Sequence, residues 1–244
     1  MSDPTKLRFT TFNTLLGRFA PSPADQLHRA PLVLDRMRHV IPTPDNARTL
    51  SRRSSIYALQ ETSENWAGWL KDRLPGYLRF WRGEQVLLFD SATWAHTQCW
   101  DVDFYTGYHG AILAPLTHKA TGVTVLAVSA HMPPWSKVGT SRRDETFAKL
   151  FAELDEHPRV LLGIDANSHT FALDAVGDPH GMVNARWSSP APRAIGAVFR
   201  THDPYRDGTA IDHILGRGAT FRGYYNRNSG AASDHQTVTA QVTL

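Results

Sequence analysis

The chain has 244 residues, 41% hydrophobic and 20% charged, with seven Trp and eleven Phe; this supplies a sizeable core and excludes global disorder. Its single cysteine, Cys99, excludes an intrachain disulfide, and no stretch approaches the roughly 18 apolar residues of a membrane span. A formal charge of +3 tilts mildly toward phosphate-bearing partners without requiring one.

The opening MSDPTKLRFTTFN lacks an apolar core of signal-peptide length, so a soluble, cytoplasmic protein is expected. Leu7–Leu15 is rich in β-branched and aromatic residues and reads as a strand, with Leu7, Phe9, Thr11 and Asn13 on one face. Residues 20–55 are irregular and basic. Pro31 could open a short helix carrying Leu34, Met37 and Ile41, and Arg36, Arg38, Arg48, Arg52 and Arg53 form either a solvated face or a phosphate-facing surface. Ile56–Gln60 reads as a buried strand followed at once by Glu61. Trp66, Trp69, Leu70 and Leu74 recur at helical spacing until Pro75-Gly76 stops them, and that stripe suits core better than ligand.

Tyr77–Trp81 and Gln85–Phe89 predict a hairpin around Arg82-Gly83-Glu84, and Ala111–Leu116 pairs with Val123–Met132 in another. Phe147, Leu150, Phe151 and Leu154 predict a helix over Ser141–Glu156. Val160–Ile164 is a short apolar run with the texture of a buried strand, and Asp165 and Asn167 follow it. Residues 170–208 read as long loops with short strands. Ala210–Leu215 is a strand carrying Asp212, Phe221–Tyr225 a further one, and Thr237–Leu244 a closing one preceded by Asp234 and His235. Neither repeats nor low-complexity linkers interrupt the chain, so a single α+β domain over 1–244 is expected.

Polar residues thus gather at strand ends: Asn13, Glu61, His131, Asp165 with Asn167, Asp212, and Asp234 with His235. Each alone has a bland reading, Asn13 as a turn amide and His131 as a structural imidazole. Their shared placement is the stronger signal.

The motifs TFNT (11–14), LQE (59–61), SAH (129–131), GIDAN (163–167), IDHI (211–214) and SDH (233–235) occur in this order. Together they resemble the endonuclease/exonuclease/phosphatase superfamily, the DNase I-like phosphoesterases. The resemblance implies a four-layer αββα sandwich of two mixed, mostly antiparallel sheets. It implies a Mg²⁺ or Mn²⁺ site of one or two ions, with Glu61 as principal ligand and Asn13, Asp165, Asn167 and Asp234 as further ones. By the same resemblance, Asp165 positions or deprotonates water, Asn167 orients it or meets phosphate, His235 donates to a nonbridging phosphate oxygen or helps transfer protons, Asp212 orients His235, and His131 binds the scissile phosphate or aids the leaving group. The acidic partner such a His131 takes is not evident; Glu84, in the neighbouring hairpin, is a candidate.

A phosphodiester is anionic and repels nucleophiles, so hydrolysis needs this combination of cation-binding carboxylates and donors. The leading expectation is a monomeric nuclease acting on DNA or RNA. The alternatives are a phosphatase or phosphodiesterase on a phospholipid, phosphoinositide or small-molecule phosphate, and a catalytically inactive binding module. Specificity is expected in the loops 20–55, 90–109, 133–142 and 170–208. The aromatic-rich Trp94–Tyr108 would suit stacked bases if it were not core.

Overall fold

The computed structural model of the protein describes residues 5–18, 20, 22–38, 55–104, 107–168, 170–190, 192–195 and 211–244. The elements are β1 (Lys6–Leu16), α1 (Pro23–Arg38), β2 (Ile56–Thr62), α2 (Glu64–Asp72), β3 (Tyr77–Arg82), β4 (Gln85–Asp90), β5 (Trp94–His96), β6 (Trp100–Asp103), β7 (Gly110–His118) and β8 (Thr124–His131). Then come α3 (Trp135–Asp155), β9 (Val160–Asp165), α4 (Thr170–Gly177), β10 (Val183–Asn184), α5 (Ala185–Ser188), β11 (Pro192–Ile195), β12 (Asp212–Arg217), β13 (Thr220–Arg227) and β14 (Thr237–Thr243).

The strands form two sheets. One runs β11-β13-β14-β1-β2-β4-β3; the other runs β10-β12-β9-β8-β7-β5, with β6 also paired to β7. Most pairings are antiparallel, but β1 runs parallel to β2, β8 to β9 and β11 to β13. Both expected hairpins form, β3 with β4 and β7 with β8.

Strand alternation explains the layering. Phe9, Ala58 and Leu87 of the first sheet meet Ile112, Ala127, Leu161 and Ile214 of the second in a shared central core. The opposite faces also carry apolar side chains. Phe12, Tyr57, Leu59 and Leu88 pack under Val33 and Met37 of α1 and Leu70 of α2. Leu126, Val128 and Leu162 pack under Phe147, Leu150, Phe151 and Leu154 of α3. Helix, sheet, sheet and helix therefore stack as four layers, the α+β sandwich expected above.

Several local expectations need correction. The first helix begins at Pro23, not Pro31. Ser22 accepts from the Asp25 N–H through its side chain and from the Gln26 N–H through its carbonyl, and proline suits a first turn whose N–H groups have no helical acceptor. Pro31 sits inside the helix, where the carbonyl it leaves without a donor belongs to the exposed Leu27. Arg36 and Arg38 direct donors to the carbonyls of Ser229 and Arg73, which gives them structural work; Ile41, Arg48, Arg52 and Arg53 lie outside the described residues.

Residues 90–109 are not a plain loop, since β5 and β6 add to the second sheet. Their aromatics are largely structural: Trp94 and Phe104 are buried and Trp100 stacks on His157, while Tyr105 lies outside the described residues. The 170–208 stretch holds α4, α5, β10 and β11 as well as loop, and 196–208 fall outside the described residues. Helix α3 starts at Trp135 but breaks at Gly139 (φ 77°, ψ 167°), so the expected helix from Ser141 is its longer part.

Candidate active site

One sheet edge gathers the polar strand ends, because parallel strands finish there and antiparallel ones begin. On β8 the inward series Val125, Ala127, Ser129 ends at His131; on β9 Leu161 and Gly163 lead to Asp165. His131 and Asp165 are register partners across the β8–β9 pair. Asp212 opens β12, which runs antiparallel to β9, and so stands opposite Asp165; it begins its strand and does not end it. His235 likewise precedes β14, whose start lies beside the end of β1 and of Asn13.

Glu61 breaks the alternation. Tyr57 and Leu59 face the helix layer, and strict alternation would send Glu61 there too. Instead Glu61 adopts a positive φ of 48° and Leu15 one of 52°, where the β1–β2 register shifts between Asn13 and Leu16. The Glu61 carboxylate turns to the inter-sheet edge, where Oε1 accepts from Asn13 Nδ2 at 2.9 Å and lies 3.8 Å from His131 Nε2. Asn167, at φ 45°, is the third non-glycine residue with positive φ among the described residues. All three line one cleft of about 560 Å³. Such backbone costs of order 1–3 kcal/mol per residue and clusters where side chains must be aimed.

Asp165 is the hub. Its Oδ2 accepts from Asn13 Nδ2 at 2.9 Å and lies 3.5 Å from His131 Nε2 and 3.8 Å from His235 Nε2; its Oδ1 accepts from the Asn167 N–H at 3.0 Å. Burial works against its charge, but His235, His131 and the two hydrogen bonds outweigh it and hold the carboxyl below its ordinary value. For His235, burial again opposes charge, yet Asp212 and Asp165 prevail and lift the imidazole to about 10. The Asp212 Oδ2–His235 Nδ1 contact is 2.8 Å, a buried charge pair.

His131 is different. Burial lowers its pKa, and its Nδ1 is buried with no hydrogen-bond partner among the described residues. Asn167 Nδ2 donates to the Met132 carbonyl at 2.7 Å and sits 3.2 Å from His131 Nε2. Glu84 does not supply the missing acidic partner. Its carboxylate lies over Gly17 and accepts from the Arg18 N–H at 2.7 Å. The His109 ring packs edge-on against His131 at 4.6 Å instead, and burial drives His109 down to about 3. Tyr108, the end of the aromatic stretch named above, lines the cleft, as do His109 and Lys137, which the sequence did not single out because a lone imidazole in a Gly-Tyr-His-Gly turn and an exposed lysine carry no periodic signal.

The donors suit a divalent cation. Glu61 Oε2 is buried with no hydrogen-bond partner among the described residues, and desolvation raises the carboxyl to about 7, followed by a downward pull from Asn13 and His235 and an upward one from Asp165. Glu61, His131 and Asp165 each offer an atom within 4.8 Å of the others, as do Asp165, Asp212 and His235. The second trio is already joined as an Asp–His pair, so the first, through its Glu61 and Asp165 oxygens, is the better cation seat. Carboxylate oxygens favour hard ions such as Mg²⁺ or Mn²⁺. Asn13 turns its NH₂ to the carboxylates and its Oδ1 to the Leu15 N–H, which makes it their organiser.

Two Bacteroides proteins of the endonuclease/exonuclease/phosphatase family superpose on this architecture. The B. thetaiotaomicron structure has a TM-score of 0.79 at 16% identity, covering 100% of this chain and 99% of that one. The B. vulgatus structure gives 0.79 at 19% identity, covering 98% and 99%. The chain has the endonuclease/exonuclease/phosphatase fold. A B. thetaiotaomicron mannosyl-6-phosphatase matches at TM-score 0.78 and 15% identity over 98% of this chain and 100% of its own. D. rerio TDP2 with a single-strand DNA product matches at 0.72 and 15% over 98% and 100%. No protein-family profile and no curated protein matches the sequence.

Proposed function

We propose that the chain, acting as one domain, is a divalent-metal-dependent phosphoesterase that hydrolyses phosphodiesters, with a DNA or RNA strand as substrate. The observation that carries this reading is the buried Glu61–Asn13–Asp165–His235–Asp212 network with one Glu61 oxygen left without a hydrogen-bond partner among the described residues. Glu61 and Asp165 would hold Mg²⁺ or Mn²⁺, with Asp234 at the solvent side, where its carboxylate is 44% exposed. The bound ion supplies charge neutralisation at the phosphoryl group and favours attack by water.

The chain's own groups do the rest. Asp165 stays ionised and aligns the O–H of the attacking water, accepting its proton as the new P–O bond forms; the P–O bond to the opposite strand oxygen breaks in the same displacement, and that leaving oxygen takes a proton from solvent water. Asn13 and the Asn167 backbone hold Asp165 in place. The His235 imidazolium, kept charged by Asp212, donates from Nε2 to a nonbridging oxygen. His131 Nε2 and the Asn167 amide border the same oxygens.

Likeness to the TDP2–DNA structure and the positive net charge favour nucleic acid. Likeness to the mannosyl-6-phosphatase favours a second reading, a phosphatase on a small sugar phosphate. A panel of supercoiled DNA, single-stranded DNA, RNA, abasic duplex, phosphoinositide and mannose 6-phosphate, each with Mg²⁺, Mn²⁺ or chelator, separates them. Turnover of the strands only, lost in Asp165→Ala and His235→Ala, is the expected result. Turnover that survives both substitutions refutes the mechanism, and turnover of the sugar phosphate alone selects the second reading.

A further inference from the structure

Beyond the catalytic cluster, the cleft has one wall built from the segment that follows His131. Pro133, Pro134, Lys137 and Val138 line it. The segment is short and constrained at both ends. Two prolines fix the backbone leaving β8, the Lys137 N–H bonds the Pro134 carbonyl at 2.8 Å, and Gly139 (φ 77°) breaks the helix immediately afterwards. A single helical turn is thus set apart from the rest of α3 and held against the mouth of the cleft.

Lys137 is the single lysine or arginine among the described residues lining the cleft. Its side chain is exposed, and its ammonium makes no hydrogen bond or ion pair among the described residues. The nearby Arg18 is committed: its guanidinium covers the Tyr108 ring at 4.5 Å, and its Nε lies 3.6 Å from Glu84. The charges acting chiefly on Glu61, Asp165 and His235 come from one another, His131, Asp212 and Asp234, and Lys137 is not among them. An apolar strip of Pro133, Pro134 and Val138 accompanies it in the wall. The cation therefore faces the cleft without serving the seat of the reacting phosphate.

We infer that Lys137 is a specificity-determining residue that binds a second anionic group of the substrate, the phosphate next to the one being cleaved. This rests on the phosphodiesterase reading. A cleft of about 560 Å³ is the size that takes a nucleotide-scale ligand. A polyanionic strand places a charge within reach of a lysine beside its reacting phosphate, whereas a single-phosphate ester has nothing for it to hold. A flexible ammonium suits a phosphate that must slide in and out, since it binds as a point charge without fixing one orientation. Lys137 so favours chains over isolated esters and supplies part of the salt dependence of binding.

The test compares an oligothymidylate with bis(4-nitrophenyl) phosphate, which has no flanking phosphate. The variants are Lys137→Gln and Lys137→Arg, assayed with Mn²⁺ across a salt series. Lys137→Gln is expected to lower the ratio of kcat/KM for oligothymidylate over that for the ester by about tenfold, through KM, as losing a charge-assisted hydrogen bond should. Lys137→Arg restores the ratio. The slope of log KM against log salt falls by about 0.7, one phosphate contact on a single strand. Equal ratios in wild type and Lys137→Gln, or a parallel loss on both substrates, overturn the inference. Should the wild type hydrolyse neither, the phosphodiesterase reading fails by itself. Anisotropy with fluorescein-labelled oligothymidylate then decides Lys137: a roughly tenfold weaker Kd in Lys137→Gln supports it, and an unchanged Kd refutes it.

Discussion

Glu61→Gln separates the burden that Glu61 places on the fold from the use it serves. Glu61 is 8% exposed, and desolvation, the largest influence on it, raises the carboxyl from its ordinary 4.5 to about 7. A carboxyl raised on folding reverses the usual sign. Its protonated form is the better tolerated one, so its contribution is favourable below pH 4.5 and is lost as pH rises through 7. Above that window the ionised carboxylate opposes folding by about 3 kcal/mol. Gln keeps an Oε1 acceptor for Asn13 Nδ2 and removes the charge. In chelator at pH 8 the variant should be more stable than wild type by up to about 3 kcal/mol, roughly 6–12 °C in Tm for a chain of this size. At pH 5 the gap should shrink below about 1 kcal/mol. Mn²⁺ at about 1,000 times its Kd should reverse the order, because it would stabilise the wild type by about 4.1 kcal/mol, more than the gap at pH 8, and the variant lacks the carboxylate proposed as principal ligand. Thermal scans at both pH values, with Mn²⁺ or chelator, measure all four states. A wild type no less stable than Glu61→Gln at pH 8 in chelator, or equal Mn²⁺ stabilisation of both, refutes the reasoning.

Asp212→Asn should cost stability near pH 7 by about 3–5 kcal/mol, the penalty for leaving one member of a buried pair alone. The raised His235 contributes stability that is complete below pH 6.5 and lost as pH rises through about 10, so urea titrations should show the gap closing toward pH 10. The same variant should lower kcat by about 10²–10⁴, and its kcat–pH profile should lose the limb of a charged His235. Gly163→Ala would place a Cβ 2.6 Å from Ala58 Cβ and 2.9 Å from Thr11 Cβ, wedging the sheets apart; a loss of about 1–3 kcal/mol is expected in urea unfolding, and an unaltered midpoint would contradict the close approach.

Much of the fold was legible because both faces of the central strands are buried. Val160–Ile164 and Ile56–Gln60 are short, largely apolar runs of strand length, and both form. The central helix announced itself through Phe147, Leu150, Phe151 and Leu154, which do face the sheet. Weakly periodic parts were not legible. Strands β5 and β6 are three and four residues long and depend on β7 for pairing. Helix α1 opens with a Ser-Pro cap that composition hid among five prolines over residues 21–44.

By itself the sequence determined which polar residue types stand at the strand ends and in what order they occur. Its period of two also carried the inward series of β1, β8 and β9 to Asn13, His131 and Asp165, since alternation is a property of a single strand. The tertiary structure decided what alternation cannot express. Gln60, buried between the sheets, donates to Thr11 Oγ1 at 3.1 Å and to Ser129 Oγ across the gap at 3.1 Å, tying together the sheets beneath the site. The paired bend at Leu15 and Glu61 turns the Glu61 carboxylate off the helix side and into the cleft. Glu84 lies against Gly17 and Arg18, away from His131, and His109 fills the place beside that ring. These outcomes depend on register shifts and on neighbours 20 or more residues away in sequence, and only the assembled sheets bring them together.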